Sequence, residues 1–205
     1  MKTEEKKNDR VPDAVLARLP RYYRCLRALI EEDVLKVNSS ALSERLGIKA
    51  SQIRQDLSRF GAFGQQGYGY NVKTLYARIG EIMNLRDDYS ALIVGKGQLS
   101  EWISREPLLA RHGIAFRGVL PPDEPEEIGA FCQKNRVDIV ILASQPTDPL
   151  SLLGILSENG VRGVINYTGR DLPGRDGLSV FNVNPVDPLM LLCYRLGNPE
   201  NNEKN

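Results

Sequence analysis

Two unlike patterns divide this 205-residue sequence and predict an α/β chain. The first is a winged helix-turn-helix, and the second a Rossmann-like doubly wound parallel sheet closed by a C-terminal helix. Three observations carry the prediction. A short helix, a glycine turn and a polar-faced helix follow one another over residues 39–59. A glycine–aromatic alternation comes directly behind them, over residues 60–72. After residue 90, short apolar runs alternate with helix-like segments, the sign of a parallel sheet with continuously apolar strands.

Length and composition allow one large or two small domains. Hydrophobic content of 41% and charged content of 26% are ordinary for a globular chain. No apolar run approaches the roughly 18 residues a bilayer requires, so no membrane partner is expected. The three cysteines, Cys25, Cys132 and Cys193, match no zinc or redox spacing and read as buried, reduced thiols of a cytoplasmic protein. The net charge of +1 hides an asymmetry: 15 basic against 9 acidic side chains through Gly80, then 12 against 17. A basic first part points to a polyanion, joined to a part with another task.

Residues 1–10 read as a disordered arm, 11–86 as the winged-helix domain and 87–205 as the Rossmann-like domain. Pro12 and Asp13 open a long first helix, with Leu16, Leu19, Tyr22, Tyr23, Leu26, Leu29 and Ile30 on its apolar stripe and Pro20 as an interruption. Arg18, Arg21, Arg24 and Arg27 line its other side, as a solvated face, as phosphate contacts or as an interdomain pair. Ser39 is the expected N-cap of the next helix, which carries Leu42 and Leu46 and stops at Gly47. In a helix over 51–59, Ile53, Leu57 and Phe60 share a buried stripe, leaving Gln52, Arg54, Gln55, Ser58 and Arg59 outward. Arginine and glutamine are the side chains that read guanine and adenine edges in a major groove. Gln65, Gln66, Gly67 and Tyr68 form the tip of a hairpin wing that lies against the DNA backbone or minor groove. Residues 72–83 make a further amphipathic helix.

In the second part, strands are expected at 91–95, 115–120, 138–143, 163–165 and 178–183. Gly95-Lys-Gly-Gln-Leu-Ser100 follows the first of them as a G-x-G-x-x-G turn whose third glycine is Ser100. Gly95, Lys96, Gly97, Gln98, Leu99 and Ser100 are therefore the candidate cofactor-binding residues, for a dinucleotide pyrophosphate at a helix N-terminus. The second strand ends in Pro121 where a ribose-binding carboxylate belongs, with Asp123 two residues late. Residues 166–169 are either a ligand-binding strand end or a simple turn. No catalytic constellation and no metal-ligand cluster stands out; His112 is the single histidine and reads as a capping or surface group. The apolar helix over 189–196 must be covered by its own subunit or by a partner's.

Six motifs together resemble the Rex family of redox-sensing repressors over nearly the whole chain. They are Arg18-Leu-Pro-Arg-Tyr-Tyr-Arg24, Ser39-Ser-Ala-Leu-Ser43, Gln52-Ile-Arg-Gln-Asp-Leu-Ser58, Phe60-Gly-Ala-Phe-Gly64, Gly67-Tyr-Gly-Tyr-Asn-Val72 and Gly160-Val-Arg-Gly-Val-Ile-Asn166. The resemblance implies a homodimer with a domain-swapped C-terminal helix, a palindromic DNA operator, and NAD(H) as the sensed ligand, NADH releasing the DNA. It also implies an interdomain switch that here falls on Arg24, Glu106 and Asn184. Departures from the family gather on the ligand side: Ser100, Pro121, Gln145-Pro-Thr-Asp-Pro149 after the third strand, Glu106 for a tyrosine and Asn184 for a carboxylate. On the DNA side Arg59 stands where the family has tyrosine. The readings left open are a NADH-responsive repressor, a constitutive one or one that senses another nucleotide, a structural chromatin-type binder, and a small NAD-dependent oxidoreductase.

Overall fold

The computed structural model describes residues 11–60, 64–65, 69–85, 89–105 and 113–198. The expected arm over residues 1–10, together with Phe63, Gln66, Gly67, Tyr68, Glu106 and His112, lies outside them. The chain divides between Leu85 and Arg86 into two compact units.

The first unit begins with α1 (Asp13–Leu16) and α2 (Leu19–Glu31). The expected single helix is two, because Pro20 sits in the first turn of α2, where its missing N–H costs nothing. The break also moves the apolar stripe: Val15 is buried while Leu16 is exposed. Helix α3 (Ser39–Leu46) follows the two-residue strand β1 (Lys36–Val37). Its cap is Asn38 rather than Ser39, the Asn38 side chain accepting from the Ala41 N–H at 2.8 Å. Gly47 closes α3 in the left-handed conformation, and α4 (Ala50–Ser58) starts three residues on. Strands β2 (Gly64–Gln65) and β3 (Gly69–Asn71) pair antiparallel as the wing, with β1 added on the far side of β3. Helix α5 (Val72–Ile82) is capped by Asn71. The core joins Leu19, Tyr22, Leu26 and Leu29 of α2 to Leu42, Ile53, Leu57, Leu75 and Ile79, with Phe60 half-buried at its margin. Full burial of each such side chain contributes about 1.5–3 kcal/mol.

The second unit is a five-stranded parallel sheet in the order β5-β4-β6-β7-β8. Its strands are β4 (Tyr89–Val94), β5 (Ile114–Leu120), β6 (Ile139–Leu142), β7 (Gly163–Asn166) and β8 (Ser179–Asn182). Helix α6 (Gln98–Arg105) covers one face, where Ile103 meets Ile93 and Ile141. Helices α7 (Pro125–Asn135) and α8 (Pro149–Glu158) cover the other, packing Ile128, Cys132, Leu152 and Leu156 on Leu92, Val94, Val140 and Leu142. Alternate residues of β4 and β6 thus serve opposite faces, as the period-two pleat demands. Chain direction across the sheet reverses at β4, which opens a crevice beyond the carboxyl ends of β4 and β6.

The chain described ends in α9 (Val186–Gly197), none of whose residues is buried. Leu191 is 62% exposed and Leu196 72%. No helix among the described residues is long and apolar enough to cross a membrane. Of the cysteines only Cys132 is buried, its thiol pushed up to about 11 by that burial. Cys25 is half-buried and Cys193 exposed on α9, so the expectation of three buried thiols is corrected: no residue of α9 is buried in the structure described.

Candidate nucleic-acid interface and nucleotide turn

Helix α4 presents Arg54, Gln55 and Ser58 to solvent, and Arg59, expected as its last residue, is exposed in the turn that ends it. Arg54 Nη1 donates to Ser39 Oγ at 3.0 Å, which ties its guanidinium to the start of α3. Ser58 Oγ donates back to the Gln55 carbonyl. Gln52 departs from expectation. It is half-buried, and its Nε2 donates to Asp56 Oδ1 at 2.8 Å, so part of its amide is committed inward. In the wing, Gln65 pairs with Gly69 through the backbone.

Sequence reasoning missed Asp56, which is 0% exposed. Arg18 grips it with two bonds, Nε to Oδ2 at 2.6 Å and Nη2 to Oδ1 at 2.8 Å, and the Tyr22 hydroxyl donates to Oδ2 at 2.6 Å. Burial pushes its carboxyl up, but the bonds from Arg18, Tyr22 and Gln52 and the Arg18 charge outweigh this and hold it below the ordinary range. The signal was legible: Asp56 falls on the inward arc beside Ile53 and Leu57, and a charge there requires a partner. Of the arginines at the start of α2 and along it, Arg18 turns inward to Asp56, Arg21 donates to the Leu46 carbonyl and Arg27 pairs with Glu31. Arg24 is exposed, with no hydrogen bond or ion pair among the described residues.

In the second unit, Gly95 follows β4 at the crevice. A Cβ there would stand 2.9 Å from both Ser100 Oγ and the Ser144 backbone nitrogen, so only glycine fits. Gly97 has φ +91, a conformation side chains rarely adopt, and open space where its Cβ would be. Helix α6 begins at Gln98, its N-terminus directed at this turn. Ser144, another residue sequence reasoning passed over, clamps the turn. Its Oγ accepts from Lys96 N at 2.9 Å and donates to Lys96 O at 3.0 Å. Its place directly after the central strand β6 was the available clue. Lys96 Nζ reaches Asp123 Oδ2 at 3.3 Å, beyond Pro121 and Pro122 at the end of β5. Ser100 is 3% exposed, and its Oγ is buried without a hydrogen-bond partner among the described residues.

The open face above Gly97 and the adjoining helix start fit a pyrophosphate. At the ribose position, Pro121 offers no carboxylate and Asp123 is the acidic side chain within reach of the turn. Residues 166–169 resolve to a strand-end turn. Asn166 donates to the Arg170 carbonyl and Asn182 Oδ1 and accepts from Thr168 N and Oγ1, which commits its amide internally. Asn184 Oδ1 accepts from Val186 N at 3.0 Å, at the start of α9. No cluster of three metal-ligating side chains occurs among the described residues.

Residues 10–58 match the family model described as "Putative DNA-binding protein N-terminus". The redox-sensing transcriptional repressor Rex of Clostridium novyi (strain NT) is 35% identical, the alignment covering 94% of this chain and 98% of the relative. The chain belongs to the Rex family. The Rex of Clostridium perfringens (strain 13 / Type A) is 37% identical over 89% of this chain and 93% of its own. Among solved structures, RSP in complex with beta-NAD+ and operator DNA matches with a TM-score of 0.80 at 35% identity, covering 95% of this chain and 96% of that one. RSP in complex with beta-NADH gives 0.79 at 32% identity, covering 96% and 99%. Membership in Rex supports the expected class: an α/β chain with an N-terminal DNA-binding unit and a C-terminal parallel sheet.

Proposed function

We propose that this chain is a sequence-specific transcriptional repressor that binds a palindromic DNA operator as a homodimer and responds to the NADH/NAD+ balance through the 95–100 turn. The observation that carries the reading is the pairing, within one Rex-family chain, of an outward Arg54, Gln55 and Ser58 on α4 and Arg59 at its end with a glycine turn at a sheet switch point. RSP, its relative of known structure, has been solved with beta-NAD+ and operator DNA and with beta-NADH.

Arg54, Gln55 and Arg59 read base edges, Ser58 and the wing residues Gln65, Gln66, Gly67 and Tyr68 contact the backbone or minor groove, and Gln52 contributes only its uncommitted amide atoms. Gly95, Lys96, Gly97, Gln98, Leu99 and Ser100 hold the dinucleotide pyrophosphate, with Asp123 taking the ribose in place of Pro121. The dinucleotide supplies the redox signal when bound; the chain binds it and undergoes no chemistry. Arg24, Glu106 and Asn184 couple nucleotide state to DNA affinity, Asn184 through the start of α9. The exposed apolar side chains of α9 are covered by the second copy. The protein works in the cytoplasm, as a regulator rather than an enzyme.

The test titrates NADH and NAD+ separately into a preformed complex with the operator. Release by NADH at micromolar levels, and none by NAD+, is expected. No release at millimolar NADH would overturn redox control. Ser100 and Pro121 favour the second reading, a Rex-family repressor indifferent to NADH, and release by another nucleotide in the same titration would establish it.

A further inference from the structure

In the first unit, one buried carboxylate gathers four side-chain hydrogen bonds beneath the exposed face of α4. Asp56 lies within α4, one turn from Gln52 and two residues after Arg54, yet it is 0% exposed. Its two oxygens accept four bonds: two from Arg18, one from Tyr22 and one from Gln52. Arg18 is the residue that caps the start of α2 and Tyr22 stands one turn into it, so the two struts come from the same end of that helix. Arg18 keeps its side chain 25% exposed while the Asp56 side chain is 1% exposed, so the joint is sealed on the α4 side.

We propose that Asp56 is the positioning residue for operator reading: through Arg18 and Tyr22 it sets the rotation of α4 against α2, and it fixes which way the Gln52 amide points. The proposal rests on the reading of the chain as an operator-binding repressor. Two arguments support it. A helix held only by apolar contacts such as Ile53 and Leu57 can slide or roll among neighbouring packings, because hydrophobic attraction has no direction. A bidentate guanidinium–carboxylate pair has a narrow geometry, so it selects one packing. Secondly, an ionised carboxylate is acceptor-only. Gln52 must therefore turn its NH2 inward to Asp56, which leaves its carbonyl oxygen as the outward atom. Gln52 thus approaches DNA as an acceptor, suited to the amino groups of adenine or cytosine.

Base contacts demand placement that phosphate contacts do not, since long lysine and arginine side chains follow a phosphate through small shifts of the helix. Loss of the joint should therefore damage discrimination and spare general DNA affinity. The probe is a palindromic duplex selected by the wild-type full-length protein from a randomised pool, set against a scrambled duplex of the same length. For Asp56→Asn, with folding followed by circular dichroism and assembly by sedimentation, operator affinity is expected to fall about tenfold or more. Scrambled-duplex affinity should move less than about threefold, and the salt slope should stay put because the phosphate contacts are unchanged. Where Asp56→Asn does not fold, Tyr22→Phe removes one bond and keeps the ion pair; a smaller loss, confined again to the operator, is expected. A folded variant that keeps full discrimination, or one that loses both duplexes in equal measure, would overturn the proposal alone, the wild type still discriminating. A wild type that prefers no sequence would overturn the repressor reading and this proposal with it.

Discussion

Ser144 and the backbone of Lys96 exchange two hydrogen bonds across the sheet crevice, one given and one received by the same hydroxyl. This joins the segments that follow β4 and β6 at the crevice beyond their carboxyl ends. The turn is thus braced by a side chain 48 residues away rather than by its own glycines.

Ser144→Ala removes that brace and leaves Lys96 N without its partner. Dinucleotide affinity should drop about five- to tenfold, the effect of one net hydrogen bond of about 1 kcal/mol. Isothermal calorimetry with NADH measures it, and because the lost bonds also hold the free turn the melting temperature should fall by a few degrees.

Ser100 Oγ is buried without a partner among the described residues, so deleting it should help. Ser100→Ala is expected to stabilise the second unit by about 1–2 kcal/mol in urea unfolding, since a desolvated hydroxyl is lost and a better helix former gained. A loss of stability would show that Ser100 Oγ has a partner in solution.

On α4, Arg54 is exposed and anchored at its far end by Ser39. Arg54→Ala should reduce discrimination between the selected operator and a scrambled duplex by about 1–3 kcal/mol. Equal weakening on both duplexes, in a parallel gel-shift titration, would assign Arg54 to phosphate. Arg59→Tyr should alter the preferred sequence in a selection experiment while keeping the dimer intact.

Acid should weaken the first unit through Asp56. Its carboxyl titrates below the ordinary value of about 4 when folded, so its stabilising contribution is complete above that value and disappears as pH falls through the depressed one. Melting curves from about pH 5 down to about pH 3 should show a decline that Asp56→Asn lacks. Asp56→Ala, which strands Arg18 and Tyr22, should cost about 3–5 kcal/mol at neutral pH.

Helix α9 offers a test of assembly. Leu189 and Leu192 are 56% and 51% exposed in the single chain. Leu189→Glu together with Leu192→Glu should shift the protein from dimer to monomer by sedimentation and abolish palindrome binding. The fold of each unit should survive in circular dichroism.

Local pattern was sufficient for most of the architecture. Periodicity located α4 and α5, glycines and aromatics marked the wing, and apolar runs placed all five parallel strands, because these features are set by neighbours within a few residues. The Gly95 turn and the outward Arg54, Gln55 and Arg59 were legible for the same reason. Caps and breaks were less so: Asn38 displaced Ser39, and Pro20 started a helix instead of kinking one. Either residue type is compatible with either place, and only the surrounding backbone chooses.

By itself, then, the sequence determined two units, a helix with an outward polar face, a glycine turn at a strand end and an apolar terminal helix in want of a cover. Tertiary structure alone decided what those parts touch. Arg18 and Asp56 are 38 residues apart, and Ser144 and Lys96 are 48. Hydrogen bonds act over about 3 Å in space and are blind to separation along the chain. Asp56 lay on the inward arc of α4 in the sequence, but that Arg18 and Tyr22 are its partners is visible only in the fold.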